Sequence, residues 1–70
     1  MKQSKYNQIK SVLARTDKTS KDLAQLLGVN ERTVSRWCTN SRQPSLETLY
    51  EVARVLKVQV TELLAPMENI

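Results

Sequence analysis

Arg32 and Arg36 stand four residues apart, so they share one face wherever their segment is helical. A guanidinium can donate two hydrogen bonds to O6 and N7 of guanine in the major groove, worth about 1–3 kcal/mol of discrimination between bases. Turning these charges into a core is disfavoured, because charge is rarely buried unpaired. A plain solvated face is the competing reading. Asn30 and Glu31 lie just ahead of them. Asn30 suits an adenine edge or a helix N-cap equally well. Glu31 can accept from cytosine N4, orient Arg32, or stabilise a helix N-terminus through the macrodipole. Thr33 suits a thymine methyl or a phosphate, and Ser35 suits the DNA backbone or water. Ser20 and Lys21 open the preceding helix, where unpaired N–H groups and the positive dipole end favour a phosphate. Lys21 serves equally as an ordinary surface lysine. Arg42 is a long cation in a loop, able to reach phosphates or a narrow minor groove. Lys10, Arg15 and Lys18 read as general surface charge.

The segment that must position these residues is TSKDLAQLLGVNERTVSRW, from Thr19 to Trp37. It reads as two short helices joined by a tight turn. Thr19 is a good N-cap, and Asp22 at the third position completes a capping-box pair. Leu23, Ala24 and Leu27 form an inward stripe, with Ala24 small enough for close backbone approach. Gly28 supplies the positive φ that stops a helix abruptly. The second helix starts near Asn30 and runs to about Cys38, with Val29, Val34 and Trp37 toward the core. Glu31, Arg32, Thr33, Ser35 and Arg36 are left outward. This is the layout of a helix-turn-helix over residues 19–38, whose second helix lies in the DNA major groove.

Three further helices are expected from apolar spacing. One covers roughly residues 5–15, with Tyr6, Ile9, Val12 and Leu13 inward. Asn40 tolerates the left-handed conformation needed to leave the arginine-bearing helix. A polar loop follows to Pro44, and Ser45 caps a helix with Leu46, Leu49, Val52, Ala53 and Leu56 as its stripe. A last short helix covers roughly residues 60–64, and Pro66 ends it. The tail, residues 66–70, is expected to fray. The fold class is therefore all-α: a compact five-helix bundle forming a single domain over residues 1–70.

Composition narrows the function classes. Seventy residues make one small domain near the lower limit for folding alone. One cysteine and no histidine leave too few ligands for a structural zinc site and no internal disulfide. No membrane span or secretory leader is legible, so a reduced, cytoplasmic setting is expected. Residues 1–42 carry nine Lys/Arg against three Asp/Glu, whereas residues 43–70 carry two against four. That polarisation toward the helix-turn-helix half favours a polyanionic partner. Trp37 is spaced for the core rather than for base stacking. Cys38 reads as a small apolar residue with no base beside it. Asp22, Glu47 and Glu51 lie at helix starts or polar faces, which suits capping rather than acid–base chemistry. No phosphate-binding glycine loop or nucleophile motif is present. The expected protein is not an enzyme and uses no metal or cofactor.

TSKDLAQLLGVNERTVSRW followed by NSRQPSLETLYEVARVLKV resembles the lambda-repressor-like (Cro/repressor type, XRE family) DNA-binding domain, over roughly residues 9–64. The resemblance implies a bundle of five helices that binds operator DNA, usually as a homodimer. It also places Ser20 at a phosphate-contacting position, Asn30, Glu31, Arg32 and Arg36 at base-reading positions, and Thr39 and Arg42 in a loop that meets the backbone or minor groove. Ser20 is shorter than the glutamine common there, and Asn40 replaces a common glycine. Many relatives pair an arginine at the Leu13 position with a glutamate at the Cys38 position. Replacing both partners by apolar groups avoids stranding a charge, which would cost about 3–5 kcal/mol. Leu13 and Cys38 are therefore expected to touch.

The function expected is a transcriptional regulator that reads a pseudopalindromic operator in double-stranded DNA as a homodimer, with half-sites about 34 Å apart. Leu64, Met67 and Ile70 are the candidate dimer contacts. The alternative is an antitoxin-like or bridging protein-interaction module on the same fold. No membrane contact and no small-molecule ligand are expected.

Overall fold

The computed structural model describes residues 5–67. Four α-helices and one 3-10 turn make up its regular structure, in the order α1 (Ile9–Arg15), α2 (Ser20–Leu27), α3 (Glu31–Cys38), α4 (Leu46–Leu56) and the 3-10 turn Val60–Leu63. The all-α expectation holds; the count of five α-helices does not. Four residues cannot complete an α-helix with useful hydrogen bonds, so the last segment closes with i→i+3 bonds instead. Glu62 N–H donates to the Gln59 carbonyl at 2.9 Å.

Local chemistry fixes the helix ends. The Thr19 hydroxyl accepts from Asp22 N–H at 3.1 Å, and the Asp22 carboxylate accepts from Thr19 N–H at 2.9 Å. This reciprocal pair is the expected capping box. Gly28 ends α2 at φ 72°, Asn30 caps α3, and Ser45 caps α4. Asn40 takes the left-handed conformation at φ 61°. Lys57 does the same at the end of α4 with φ 59°, in a place where glycine is commoner.

The core gathers Ile9, Val12 and Leu13 of α1, Leu23 and Ala24 of α2, Val34 and Trp37 of α3, Leu49, Val52, Ala53 and Leu56 of α4, and Leu63. The second helix packs on α3 and α4, while α1 packs on α3 and the 3-10 turn. Three apolar residues expected inside are exposed: Tyr6, Val29 and Leu46. Val29 lies in the turn itself, with its N–H bonded back to the Ala24 carbonyl. Leu46 keeps the register of its stripe but is the first residue of α4, one turn ahead of the buried Leu49.

Tyr6 differs for a larger reason. The first helix begins at Ile9, not near residue 5. Residues 5–8 stay outside the helix, because backbone groups of Tyr6 and Gln8 pair with the end of the described chain. Asn7 and Leu64 form an antiparallel bridge. Gln8 N–H donates to the Leu63 carbonyl, and Ala65 N–H donates to the Tyr6 carbonyl, both at 2.9 Å. A carbonyl facing that bridge is not available to a helix. Among the described residues Asn7 is the one buried polar side chain of the interior. Its Oδ1 accepts from Ile9 N–H, and its Nδ2 donates to the Trp37 carbonyl at 3.1 Å and Gln43 Oε1 at 2.7 Å. The Asn40 Oδ1 accepts from Tyr6 and Asn7 N–H, and its Nδ2 donates to the Asn7 carbonyl. The two ends of the described chain are thus clasped to each other and to the exit of α3.

Candidate nucleic-acid interface

The third helix is split cleanly by its sequence. Val34 is fully buried and Trp37 nearly so, while Glu31, Arg32, Thr33, Ser35 and Arg36 are exposed. With both anchors on one side, the arginines project from the other. Among the described residues the ion pairs are Arg15–Glu62 and Arg54–Glu51, both away from α3. Arg32, Arg36 and Arg42 therefore carry no carboxylate partner there, and their charge is available to an incoming anion.

Asn30 acts as the cap: its Oδ1 accepts from Arg32 N–H at 2.8 Å. The carbonyl that an adenine amino group would need is already shared with the backbone. Asn30, Glu31, Arg32 and Ser35 line one shallow depression on the outer face. On the opposite flank, Thr33 and Arg36 line a second depression with Trp37, Arg42 and Gln43. The exit loop is folded back to make that meeting possible. Ser41 and Arg42 N–H both donate to the Arg36 carbonyl, at 3.0 and 3.3 Å. The Thr39 and Ser41 hydroxyls donate to the same carbonyl, each at 3.2 Å. Arg42 is thereby brought beside Arg36 by hydrogen bonds that converge on one oxygen.

A third depression lies between α1, the start of α2 and the end of α3. Ser20, Ser35 and Thr39 line it with Lys10 and Lys18, and Leu13 and Cys38 share it. Leu13 and Cys38, expected to be neighbours, thus line the same small space. Cys38 is half-buried, and its Sγ lies 3.6 Å from Ser20 Oγ. Lys21 is exposed on the first turn of α2 and joins none of these depressions. Its charge and that of Lys18 act on Asp22, but the Thr19 backbone and side-chain hydrogen bonds are what chiefly hold that carboxyl below its ordinary value.

Lys10 and Lys18, read from the sequence as general surface charge, line the third depression, and Gln43, given no role there, lines the second. Gln43 was hidden because its partners, Asn7 and Asn40, come together only in the folded chain. Lys18, one residue ahead of the Thr19 cap, did carry a signal: it must stand at the mouth of α2.

The helix-turn-helix family matches residues 9–63. The crystal structure of a Bacteroides fragilis protein, provisionally described as DNA-binding, superposes with a TM-score of 0.83 at 46% identity, covering 84% of this chain and 95% of that one. No curated protein matches the sequence. The chain belongs to the helix-turn-helix family, in the Cro/repressor type that its residues resemble.

Proposed function

We propose that this helix-turn-helix protein is a transcriptional regulator that binds double-stranded DNA as a homodimer. The observation that carries the reading is the exposed arginine face of α3, which forms no ion pair among the described residues and is backed by the buried Val34 and Trp37. In this reading α3 enters the major groove and Arg32 and Arg36 read base edges, helped by Glu31 and, where its cap allows, Asn30. Ser20, Lys21, Thr33, Ser35, Thr39 and Arg42 hold the phosphates and set the register. The protein acts in the cytoplasm as a binder and not as an enzyme. The similarity to a provisionally DNA-binding Bacteroides fragilis protein supports the assignment.

The dimer surface is placed at the clasped chain ends, where Tyr6, Leu64 and Met67 expose apolar side chains. Ile70, the other candidate contact, lies outside the described residues. Two copies related by a two-fold axis would present their α3 helices to half-sites about 34 Å apart.

Selection of bound sequences from a random duplex pool at fixed salt tests the reading. The expected result is a pseudopalindrome with two half-sites and steep loss of binding as salt rises. Arg36→Ala is expected to relax preference at particular positions of each half-site, whereas Lys21→Ala weakens all sequences alike. Equal losses on selected and random duplexes for Arg36→Ala would remove that residue from base reading. Copurification with one protein partner, without salt-sensitive duplex binding, would favour the antitoxin-like or bridging alternative.

A further inference from the structure

Gln43 is exposed, yet its carboxamide is committed to the protein. Its Oε1 accepts from Asn7 Nδ2 at 2.7 Å. Its Nε2 donates to Asn40 Oδ1 at 3.1 Å and to the Asn40 carbonyl at 3.4 Å. Asn40 in turn grips the Asn7 backbone: its Oδ1 accepts from Asn7 N–H and its Nδ2 donates to the Asn7 carbonyl, both at 3.1 Å. Asn7, Asn40 and Gln43 thus bond to one another in a closed ring that joins the start of the described chain to the exit of α3. A carboxamide nitrogen carries two hydrogens. Both of those on Gln43 are engaged, so it has none to offer a base edge or a phosphate. Arg42 stands between two tethers. On one side its own N–H and that of Ser41 bond to the Arg36 carbonyl; on the other, Gln43 is fastened to Asn7 and Asn40. Arg36, Arg42 and Gln43 line one depression with Thr33 and Trp37. A loop tied on both sides is ordered before any partner arrives and loses less freedom on binding.

We propose that Gln43 and Asn7 are positioning residues for duplex binding: through their ring with Asn40 they hold the backbone of Arg42 beside Arg36 in advance, and neither touches DNA. The inference rests on the duplex-binding reading and on the part Arg42 takes in it. It extends that reading to uncharged side chains that make no contact of their own. Asn7, the inner member of the ring, is 2% exposed, so it can act on a duplex only through the loop it holds.

The test is a set of double-mutant cycles on the whole chain, read as affinity against salt for a selected and a random duplex. Circular dichroism checks that every variant folds. Arg42→Ala is expected to lower the salt slope by about 1. Gln43→Ala and Asn7→Ala keep every charge, yet each is expected to weaken binding about threefold on both duplexes, the scale of ordering one loop side chain on binding. In the Arg42→Ala background either change should cost nothing further. Combined with Lys21→Ala, which lies at the start of α2, the two losses should instead multiply. A variant that merely lowered the folded fraction would lose the same factor in every background. Gln43 is exposed, so its variant keeps the test decisive if Asn7→Ala does not fold. If the parent protein binds duplex while Gln43→Ala keeps full affinity, or loses the same factor with and without Arg42, the positioning role is refuted and the regulator reading stands. A loss confined to the selected duplex would make Gln43 a base reader and refute it as well. So would an Arg42→Ala variant that binds as the parent does. If the parent protein shows no salt-sensitive duplex binding, the regulator reading falls and this inference falls with it.

Discussion

The α2–α3 unit and the clasp that joins the chain ends are held by hydrogen bonds of different reach. At Thr19 and Asp22 the partners are three residues apart, and at Asn30 and Arg32 two. In the clasp, Asn7 reaches Gln43 across 36 positions and Gln8 reaches Glu62 across 54. Short-range bonds form with little loss of chain entropy and set the angle at which α3 leaves the turn. Long-range bonds close large loops and form only when the core has brought their ends together. The contrast teaches that direction and anchorage of the arginine-bearing helix have separate origins. Its entry is set locally; its exit is held both by short-range bonds to the Arg36 carbonyl and by Tyr6 and Asn7 near the start of the described chain.

Removing apolar volume from the shared core should break both regions together. Leu23 is fully buried, so Leu23→Ala is expected to cost about 2–5 kcal/mol, read from denaturant unfolding. That is the largest effect expected, and in so small a domain it leaves little surplus stability. Loss of the α3 and clasp signals in one transition would show that the two regions share a cooperative unit.

Asn7→Ala separates them. It removes two donors and one acceptor from a buried position and leaves the Trp37 carbonyl without that side-chain donor. The expected cost is about 2 kcal/mol. Amide exchange should quicken at Gln8 and Ala65 before it does at Leu23, whose N–H donates to the Thr19 carbonyl as the first bond of α2. Equal acceleration at all three amides would mean that entry and exit are not independent.

Thr19→Ala sharpens the local side, at an expected cost of about 1 kcal/mol. It also has a pH signature. The Asp22 carboxyl lies below its ordinary value of 3.8, held there first by the Thr19 backbone bond and then by the Thr19 hydroxyl. A depressed acid adds stability above its unfolded value, and that stability is lost as pH falls through the folded one. The acid limb of the stability curve should therefore be shallower below about pH 4 in Thr19→Ala than in the parent. An NMR titration should find Asp22 closer to its ordinary value. An unmoved Asp22 would show that the Thr19 hydroxyl does not contribute to the depression.

How much was legible follows the same division. The capping box, the Gly28 stop, the Asn30 and Ser45 caps and the left-handed Asn40 could all be read from neighbouring residues. So could the burial of Val34 and Trp37, because helical spacing is a local property. The non-helical run before Ile9 could not be read. Tyr6 keeps helical spacing with Ile9, and nothing nearby announces that Asn7 will bridge to Leu64. The left-handed Lys57 was equally hidden, because lysine carries no preference for that conformation. At the candidate interface, residue type and spacing indicated the arginine face of α3. The meeting of Lys10, Lys18 and Ser20 depends on how α1 docks, which no local pattern records.

The Asn7 side chain has a consequence for ageing of the purified protein. Hydrolysis of its carboxamide would exchange an NH2 group for a carboxylate oxygen at nearly constant shape. The new oxygen would face the Trp37 carbonyl and Gln43 Oε1, two acceptors with no hydrogen to offer it. One atom's replacement, adding a mass of about 1 Da, would thus turn the bond that fastens the exit of α3 into a repulsion.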